Sequence, residues 1–326
     1  MRVAIIGAGS IATKMARTVA ALKETESYAI ASRNLQKAQA FADKWGVKRA
    51  YGSYDEMLAD DAVDLVYVAL PHSHHHEWTI KALQAGKHVL CEKPLAVNAA
   101  QAREMIALAE SKNLLLAEAM WTRYLPSAQI IKDIIASGTI GEPMTVSANV
   151  GDCNYMNDRL TNPALAGGCL LDLTVYALNF AAMVMGTEVK RIAASMIPTA
   201  TGVDGQNNIM LEYAGGKMAS IFATMYTVTD RGGFVYGREG FIQAHDVFNP
   251  EKITICGVKG YKHFVKQEIA APAQITGFEY EVLACLRAIA EGRTECPEMP
   301  HAETFAVMRQ ADEIRRQFGI IYPFER

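Results

Sequence analysis

The sequence predicts a protein of the α/β class, with a doubly wound parallel sheet followed by an α+β domain that has an open, mostly antiparallel sheet. Up to about residue 121, short apolar segments alternate with segments of helical periodicity, as in parallel strands joined by helices. Beyond that point, longer β-rich segments follow one another with few helices between them. The length of 326 residues also suits two domains.

The first domain is predicted to cover residues 1–121. Its predicted strands are 3–6, 28–31, 63–70, 88–91 and 114–117, and its helices follow Gly9, cover 35–45 and 78–85, and begin after the cap residue Asn98. Each strand is a short, continuous apolar run, which is typical of strands buried on both faces. Gly46 and Gly86 follow two of the helices as C-cap signals.

The second domain, residues 122–326, is predicted to bind the substrate. Its predicted strands are 142–150, 188–199, 210–213, 218–222, 233–244 and 252–266, and its helices are 126–137, 277–291 and 301–318. The glycine pair 215–216 lies between two strands and predicts a hairpin.

Composition excludes several classes of protein. The net charge of −3 and the lack of any Lys/Arg block argue against a nucleic-acid partner. No apolar run approaches the roughly 20 residues of a membrane span, so we expect no membrane partner. The six cysteines form no C-x-x-C pair, and the chain enters a strand at once without a signal peptide, so we expect a cytoplasmic protein with reduced thiols.

A phosphate cradle is predicted at Gly7-Ala8-Gly9-Ser10-Ile11-Ala12. Gly7 permits a tight turn, Gly9 lets a pyrophosphate approach the backbone, and Ala12 lets the helix pack closely on the strand. An ordinary glycine turn is the alternative. The strand before the motif and the helix after it favour a dinucleotide site at Gly7, Gly9, Ser10, Ile11 and Ala12, at the start of a Rossmann domain.

The end of the second strand predicts which dinucleotide is preferred. NAD enzymes usually carry an acid there, but this chain has Ser32 and Arg33. A hydroxyl and a guanidinium suit a 2′-phosphate, which favours NADP(H) and leaves NAD(H) as the alternative. Arg33 could equally be a solvated residue at the start of a helix, and Lys37 could add charge or be exposed.

Lys93 is the candidate acid/base. It follows the strand ending at Cys91 and so lies at the carboxyl edge of the sheet, where ligands bind in such folds. Pro94 restricts Lys93 to an extended backbone. A lysine buried against a nicotinamide should have a lowered pKa, as acid/base lysines do. An exposed lysine after a strand is the alternative.

A second candidate site is the apolar segment 167–180, which is predicted to be a helix. Asp172, Tyr176 and Asn179 share one face of it, and buried polar groups need partners. A ligand cleft would supply them; a structural Asp–Tyr hydrogen bond in the core is the alternative.

The run Pro71–His76 raises the question of a metal. Consecutive histidines on a helix point in different directions, and neither a cysteine nor an acid completes a ligand set, so no metal site is predicted. These residues are instead expected to line the cofactor edge. The further candidate cofactor residues, in the turns after the strands, are Leu70, Pro71, His72, His75, Glu92, Lys93, Pro94, Trp121 and Arg123.

These motifs resemble the glucose–fructose oxidoreductase/inositol dehydrogenase (Gfo/Idh/MocA) family over nearly the whole chain. The resemblance rests on Gly7-x-Gly9-x-x-Ala12, the Pro71/His75 turn, Gly86-Lys87-His88-Val89-Leu90-Cys91-Glu92-Lys93-Pro94 and Gly168…Asp172…Tyr176. The segments Tyr51–Tyr54, Ala119–Tyr124 and Thr201–Asp204 resemble its dimeric dihydrodiol dehydrogenase subgroup.

The resemblance implies a Rossmann domain joined to an open sheet, with hydride transfer in the cleft between them. It implies Lys93 as the acid/base and Tyr176 as its partner, with Asp172 in the same site. Many members carry His in place of Tyr176, and this difference points towards the dihydrodiol and glucose–fructose types. The implied substrate is a sugar, polyol or diol, and paired open sheets imply a homodimer or homotetramer.

Two other functions stay open at this point. Some members of the family bind NADP as non-catalytic sensors or regulators, although intact Lys93, Asp172 and Tyr176 argue against that. A redox-assisted glycosidase would keep its nicotinamide bound. The loop 152–166, with Asn154, Tyr155 and Arg159, is expected to cover the cleft, but its residues name no substrate.

Overall fold

A computed structural model describes residues 1–325 and divides the chain into two compact units. Unit 1 is Met1–Tyr124 with Gln274–Thr304, and unit 2 is Leu125–Ala273 with the described residues from Phe305 onwards. The first break lies close to the predicted boundary at residue 121. Residues 274–304, which the sequence analysis placed in the second domain, pack instead with unit 1.

Unit 1 is built on a six-stranded sheet in which every neighbouring pair is parallel. Strands β1 to β6 are Arg2–Ile6, Glu26–Ala31, Arg49–Tyr51, Leu65–Val68, His88–Glu92 and Leu116–Ala119. Their order is β3-β2-β1-β4-β5-β6, the doubly wound arrangement that the sequence predicts. Strand β3 was missed because it is short, polar at its start and no more than half-buried.

Five helices connect these strands. Helices α1 to α5 are Ser10–Ala21, Leu35–Trp45, Tyr54–Leu58, His75–Gln84 and Ala99–Lys112. The predicted cap at Asn98 is confirmed, since its side chain accepts the backbone N–H of Gln101 at 2.9 Å. Gly46 ends α2 in the left-handed conformation, as its C-cap signal predicts.

Unit 2 is built on an eight-stranded sheet with the order β14-β13-β12-β11-β7-β10-β9-β8. Its elements in chain order are α6 (Pro126–Ala136), β7 (Pro143–Gly151), α7 (Asp158–Thr161), α8 (Val175–Met185), β8 (Val189–Pro198), β9 (Asp204–Tyr213), β10 (Met218–Thr224), β11 (Gly233–Gly237), β12 (Gly240–Ala244), β13 (Lys252–Lys259) and β14 (Lys262–Ala270). The predicted β9–β10 hairpin is confirmed. The sheet is mostly antiparallel, as predicted, but β7 and β10 pair in parallel.

Two predicted strands of unit 2 are each a hairpin. The segment 233–244 divides into β11 and β12, and 252–266 divides into β13 and β14, which extends to Ala270. The second turn contains Gly260 at φ 61°, a left-handed conformation that favours glycine. Both turns lie inside β-rich segments, so the alternation of side chains alone did not reveal them.

Two helices close the chain, as predicted: α9 (Glu279–Ala290) and α10 (His301–Phe318). The Glu279 carboxylate accepts three backbone N–H groups just before α9, from Ile275, Thr276 and Gly277, at 2.7 to 3.0 Å. It therefore pairs the backbone donors of the turn that leads into the helix. Helix α9 packs against α1 within unit 1.

The predicted absence of a long apolar segment is wrong for Pro163–Met185. The most apolar 18-residue window of this stretch of 23 residues has a mean hydropathy of 1.6, which by length and composition alone would suit a membrane span. Within the protein, 78% of its most apolar window is buried. Burial in unit 2 thus accounts for its composition without a membrane.

Candidate active site

The carboxyl edge of the unit 1 sheet gathers most of the predicted cofactor residues. Because all six strands are parallel, the turns that follow them lie along one edge. The turns after β1, β2, β4, β5 and β6 contain, in that order, Gly7–Ala12, Ser32 and Arg33, Leu70–His75, Glu92–Pro94, and Trp121 and Arg123. The order of the strands places the β1 turn between those of β2 and β4.

The turn after β1 has the geometry of a phosphate cradle. Gly7 has φ 98°, and a Cβ there would lie 2.4 Å from the carbonyl oxygen of Ala69. Gly9 differs, because a Cβ there would meet no atom within 4 Å. No side chain caps α1, so its first N–H groups are available to an anion, and Ala12 is fully buried against the sheet. These features fit a dinucleotide pyrophosphate.

The turn after β2 presents a cation. Ser32 is buried, whereas Arg33 is exposed at the start of α2. Two residues flank Arg33: Tyr54, whose hydroxyl lies near the guanidinium, and His74, from the segment expected to line the cofactor edge. The pKa of His74 is below its ordinary value, mainly because the ring is half-buried and secondly because Arg33 is positive. This corner suits an anionic group.

His75 joins the turns after β4 and β5. Its ring is fully buried, with Nδ1 2.8 Å from the carbonyl oxygen of Pro94 and Nε2 2.8 Å from that of Leu70. Both carbonyls favour a protonated ring, but burial outweighs them and lowers the pKa of His75 to about 4. A neutral ring has one N–H to donate. That N–H can bond only one of the two carbonyl oxygens, so His75 bonds one backbone turn and packs against the other.

Glu92 and Lys93 end strand β5. The Tyr67 hydroxyl donates to Glu92 Oε1, and Oε2 of Glu92 accepts the backbone N–H of Lys93 at 3.2 Å. Tyr67 is fully buried, so this bond anchors the turn in the core of unit 1. The Lys93–Pro94 bond is cis, and Lys93 is partly exposed.

Glu118, at the end of β6, is a buried acid that the sequence analysis missed. Its carboxylate accepts from the Thr304 hydroxyl at 2.8 Å and from the backbone N–H of Leu95 at 3.1 Å. Burial raises its pKa above the ordinary value, although these bonds and the charges of Arg123 and Lys93 oppose the rise. Glu118 is therefore close enough to influence Lys93. The available sequence signal for Glu118 was an acidic residue directly after the apolar run 114–117.

Arg123 is buried rather than exposed to a ligand. Nη2 donates to Glu303, whereas Nε and Nη1 have no hydrogen-bond partner within residues 1–325. A buried guanidinium with two unpaired donors is costly, and such groups occur at functional sites. The two unpaired donors are consistent with the predicted role of Arg123 at the cofactor site, and that role stays a prediction.

Trp121 is held by residues from both segments of unit 1. Its ring lies 4.1 Å from the Lys14 ammonium and 5.2 Å from the Phe278 ring centroid. A Cβ on Gly277 would lie 2.6 Å from the Trp121 ring, so the glycine permits this packing. Residues 274–304, which belong to unit 1, thus hold the Trp121 ring in place after β6.

In unit 2, Asp172 and Tyr176 lie near the start of one helix. Arg159, from α7, forms an ion pair with Asp172 at 3.1 Å, which brings the predicted covering loop to this residue. The ring of Tyr176 packs against Phe248 with a centroid distance of 4.4 Å. The buried Asn179 amide donates to the carbonyl of Val175 within the helix, and its Oδ1 has no hydrogen-bond partner within residues 1–325.

Asp204 is a buried acid of unit 2 that was not predicted to be a site residue. Its Oδ2 accepts the backbone N–H of Leu170 at 2.7 Å and the side-chain amide of Asn207 at 2.8 Å. Burial raises the pKa of Asp204 to about 7 despite these bonds. The carboxyl group therefore titrates near neutral pH.

Within residues 1–325, no three or more His, Cys, Asp or Glu side chains come together as ligands for a metal ion. The histidines of the 71–76 segment have other partners: His75 bonds to backbone carbonyls, and His76 pairs with Glu104 at 2.8 Å.

Family models match both parts of the chain. Residues 1–120 match the model described as "Oxidoreductase family, NAD-binding Rossmann fold", and residues 128–243 match the "GFO/IDH/MocA C-terminal domain". The chain belongs to the Gfo/Idh/MocA family. It is therefore an oxidoreductase with a nicotinamide dinucleotide-binding domain, as the cradle after β1 predicts.

The similar curated proteins are dehydrogenases. The chain is 32% identical over its whole length to mouse trans-1,2-dihydrobenzene-1,2-diol dehydrogenase, covering 99% of that protein, and 30% identical to the human enzyme with the same coverage. Among solved structures, KijD10 from Actinomadura kijaniata, a 3-ketoreductase in complex with NADP and TDP-benzene, is 26% identical, with a TM-score of 0.87 and 97% coverage of each chain. Levoglucosan dehydrogenase, 20% identical at a TM-score of 0.88, shares the fold.

The two glycines of the cradle should respond differently to alanine. Gly7→Ala should lower the free energy of unfolding by roughly 2 kcal/mol or more, because its methyl group clashes with backbone at a strained φ. Gly9→Ala should leave stability unchanged but weaken NADP(H) binding about tenfold, because its methyl group enters the space of the pyrophosphate. Urea unfolding and fluorescence titration measure the two effects; equal stability losses would contradict this account.

The stability of the protein should depend on pH through Asp204. Its folded-state pKa of about 7 exceeds the ordinary value of 3.8, so the folded state binds an extra proton between these values. The free energy of unfolding should therefore fall, relative to Asp204→Asn, as pH rises from about 4 to about 7, and then level off. Urea unfolding of both proteins across this range measures the difference, and a difference independent of pH would refute the assignment.

Proposed function

We propose that the protein transfers a hydride between the nicotinamide of NADP(H) and a hydroxyl- or carbonyl-bearing carbon of a sugar, polyol or diol. The observation that carries this proposal is Lys93 at the carboxyl end of β5, on the sheet edge that also bears the Gly7–Ala12 cradle. Lysine is a suitable acid/base for alcohol oxidation, and a dinucleotide cradle supplies the hydride carrier.

NADP(H) is supported as the cofactor by the corner around Arg33. An exposed guanidinium after β2, with Ser32 before it and His74 and Tyr54 beside it, offers several donors to a 2′-phosphate. The described end of β2 carries no carboxylate to bind a ribose 2′-hydroxyl. The KijD10 complex with NADP supports the same choice.

The substrate class is supported by the names of similar proteins. The mammalian relatives are named for a diol, and KijD10 is named for the reduction of a keto group. Alcohol and ketone are the two sides of one reaction. We therefore propose a vicinal diol or a sugar hydroxyl as the reacting group.

The Gly7–Ala12 cradle would hold the dinucleotide, whose nicotinamide would supply the hydride acceptor for oxidation or the hydride donor for reduction. We propose that Lys93 Nζ takes the hydroxyl proton during oxidation and gives it back to the carbonyl oxygen during reduction. Tyr176 Oη donates a hydrogen bond to the same oxygen, and Asp172 orients the substrate hydroxyls. Glu118, beside Lys93, contributes a group that can tune the basicity of Nζ.

Lys93→Met should lower kcat by about 10³-fold or more, whereas the Kd for NADPH should change less than about threefold. The reason is that methionine fills the volume of lysine but cannot take a proton. Lys112→Met, an exposed lysine at the end of α5, is the matched control and should keep full activity. A panel of aldoses, polyols, diols and dicarbonyls with both cofactors supplies the assay; undiminished activity of Lys93→Met would refute the role.

Arg33→Ala should weaken NADP(H) binding roughly 10- to 100-fold and NAD(H) binding less than about twofold, since only the former has a charged 2′-group. Lys44→Ala removes a positive charge from the far end of the same helix and should change neither. Isothermal titration with the two cofactors measures the effect. Equal losses for NADP(H) and NAD(H) would remove the 2′-phosphate assignment.

We further propose that the protein is a homodimer or homotetramer joined through the open sheet of unit 2. A Cβ on Gly233 would contact Phe180 of α8, so the alternate residues Phe234 and Tyr236 lie on the opposite face. There the two rings stack at 5.8 Å, and Tyr236 lies 5.7 Å from Phe241. A partly exposed aromatic cluster of this kind favours association with a second copy.

Tyr236→Lys should shift the protein towards monomer, because it places a charge in this cluster. Tyr261→Lys, at the exposed β13–β14 turn, is the matched control and should leave the oligomer intact. Light scattering after size exclusion measures the mass. A wild-type monomer, or identical masses for the two variants, would contradict the proposed interface.

We also propose a cytoplasmic location. Its support is that all six cysteines are free, including Cys153, which is exposed, as expected in a reducing compartment.

A further inference from the structure

The helix that carries Asp172 and Tyr176 has no cap of its own. Cys169, at its start, makes no side-chain capping bond. Asp204 supplies one from the start of β9: its Oδ2 accepts the backbone N–H of Leu170 at 2.7 Å. A carboxylate is a favoured acceptor at a helix start, where the N–H groups point outwards. The cap therefore comes from a strand rather than from the preceding loop.

The first turn of this helix is a π turn, Leu170–Thr174, and α8 continues from Val175. A π turn takes up one residue more per hydrogen-bonded ring than an α turn. Asp172 lies within it and Tyr176 directly after it, so the π turn sets the angle between their side chains around the helix axis. If the turn relaxed to regular α-helix, the two side chains would shift relative to each other.

A second tie from β9 reaches the end of the π turn. The Thr174 hydroxyl and the Asn207 amide lie 3.0 to 3.2 Å apart, and Asn207 Nδ2 donates to Asp204 Oδ2 at 2.8 Å. Thr174, Asp204 and Asn207 are each at most 1% exposed. One buried network thus holds both Leu170 and Thr174, the two ends of the π turn.

The space around Asp204 is fitted to this network. Gly168 has φ 122°, and a Cβ there would lie 2.3 Å from Asp204 Oδ1. That oxygen has no hydrogen-bond partner within residues 1–325. A buried carboxyl oxygen without a hydrogen-bond partner lowers the free energy of unfolding. Unpaired buried polar groups of this kind are often found at functional sites.

We propose that Asp204 is a positioning residue for the hydride-transfer reaction: through Leu170 and the Asn207–Thr174 pair it maintains the π turn that orients Asp172 and Tyr176. This inference rests on the proposed function, because Asp204 touches neither substrate nor cofactor. It predicts an effect on turnover that is separate from any general loss of stability.

The test compares three variants. Asp204→Ala removes the cap, whereas Asp204→Asn keeps an oxygen that can accept from both Leu170 and Asn207. The new NH2 group then takes the place of Oδ1, which has no hydrogen-bond partner within residues 1–325. Gln310→Met is the matched control: Gln310 is also a buried polar residue of unit 2, but it bonds to the carbonyl of Thr187. For each, kcat, KM, the NADPH Kd, the unfolding midpoint and hydrogen exchange of peptide 168–178 are measured.

Asp204→Ala should lower kcat at least about tenfold with the NADPH Kd within about twofold, and exchange in peptide 168–178 should accelerate. Asp204→Asn should restore kcat to within about threefold of wild type and slow that exchange again. Gln310→Met should lower the unfolding midpoint without changing kcat.

A wild-type kcat in Asp204→Ala, or equal losses in Asp204→Ala and Gln310→Met, would overturn the positioning role. Unchanged exchange in Asp204→Ala would overturn the structural tie, even in an active enzyme. A wild-type protein that binds NADPH but turns over no substrate would instead refute the proposed function, and with it the reaction that Asp204 is proposed to serve.

Discussion

The turn after β1 lies so close to the end of β4 that no side chain fits at Gly7, where a Cβ would approach the Ala69 carbonyl to 2.4 Å. This contact places the start of α1 at the carboxyl edge of the sheet, beside the turn after β4. The His75 ring then lies between that turn and the one after β5, where Lys93 lies, with a carbonyl oxygen of each turn at 2.8 Å. A chain of backbone contacts thus connects the phosphate cradle with the proposed acid/base.

Much of unit 1 could be predicted because its determinants are local. Apolar runs of strand length, helix caps such as Asn98 and the glycine pattern after β1 each act within a few residues of one another. The environment of Lys93 could not be predicted in the same way. Glu118 accepts a hydrogen bond from Thr304, and the Trp121 ring packs against Phe278. Both partners are distant in sequence and belong to the segment 274–304, which returns to unit 1 from the second half of the chain.

In unit 2 the sequence predicted a polar face on the 167–180 helix. Two of its three residues, Asp172 and Tyr176, contact side chains from other segments of the chain. Asp172 pairs with Arg159 and Tyr176 packs on Phe248. The Asn179 amide instead donates within its own helix, and its oxygen has no hydrogen-bond partner within residues 1–325. The π turn changes the spacing that a regular helix would give. Its cause, the Asp204 network, comes from β9, so no pattern within the helix could indicate it.

The central claim is that the protein moves a hydride between NADP(H) and a substrate carbon. The most direct measurement uses NADPH with deuterium at both C4 positions and the carbonyl substrate that the panel identifies, followed by mass spectrometry of the product. We expect one deuterium on the carbon that becomes C–OH, in wild type and not in Lys93→Met. Tight NADPH binding without label transfer would contradict the claim and indicate a sensor, and sugar release without net oxidation of NADPH would indicate a glycosidase.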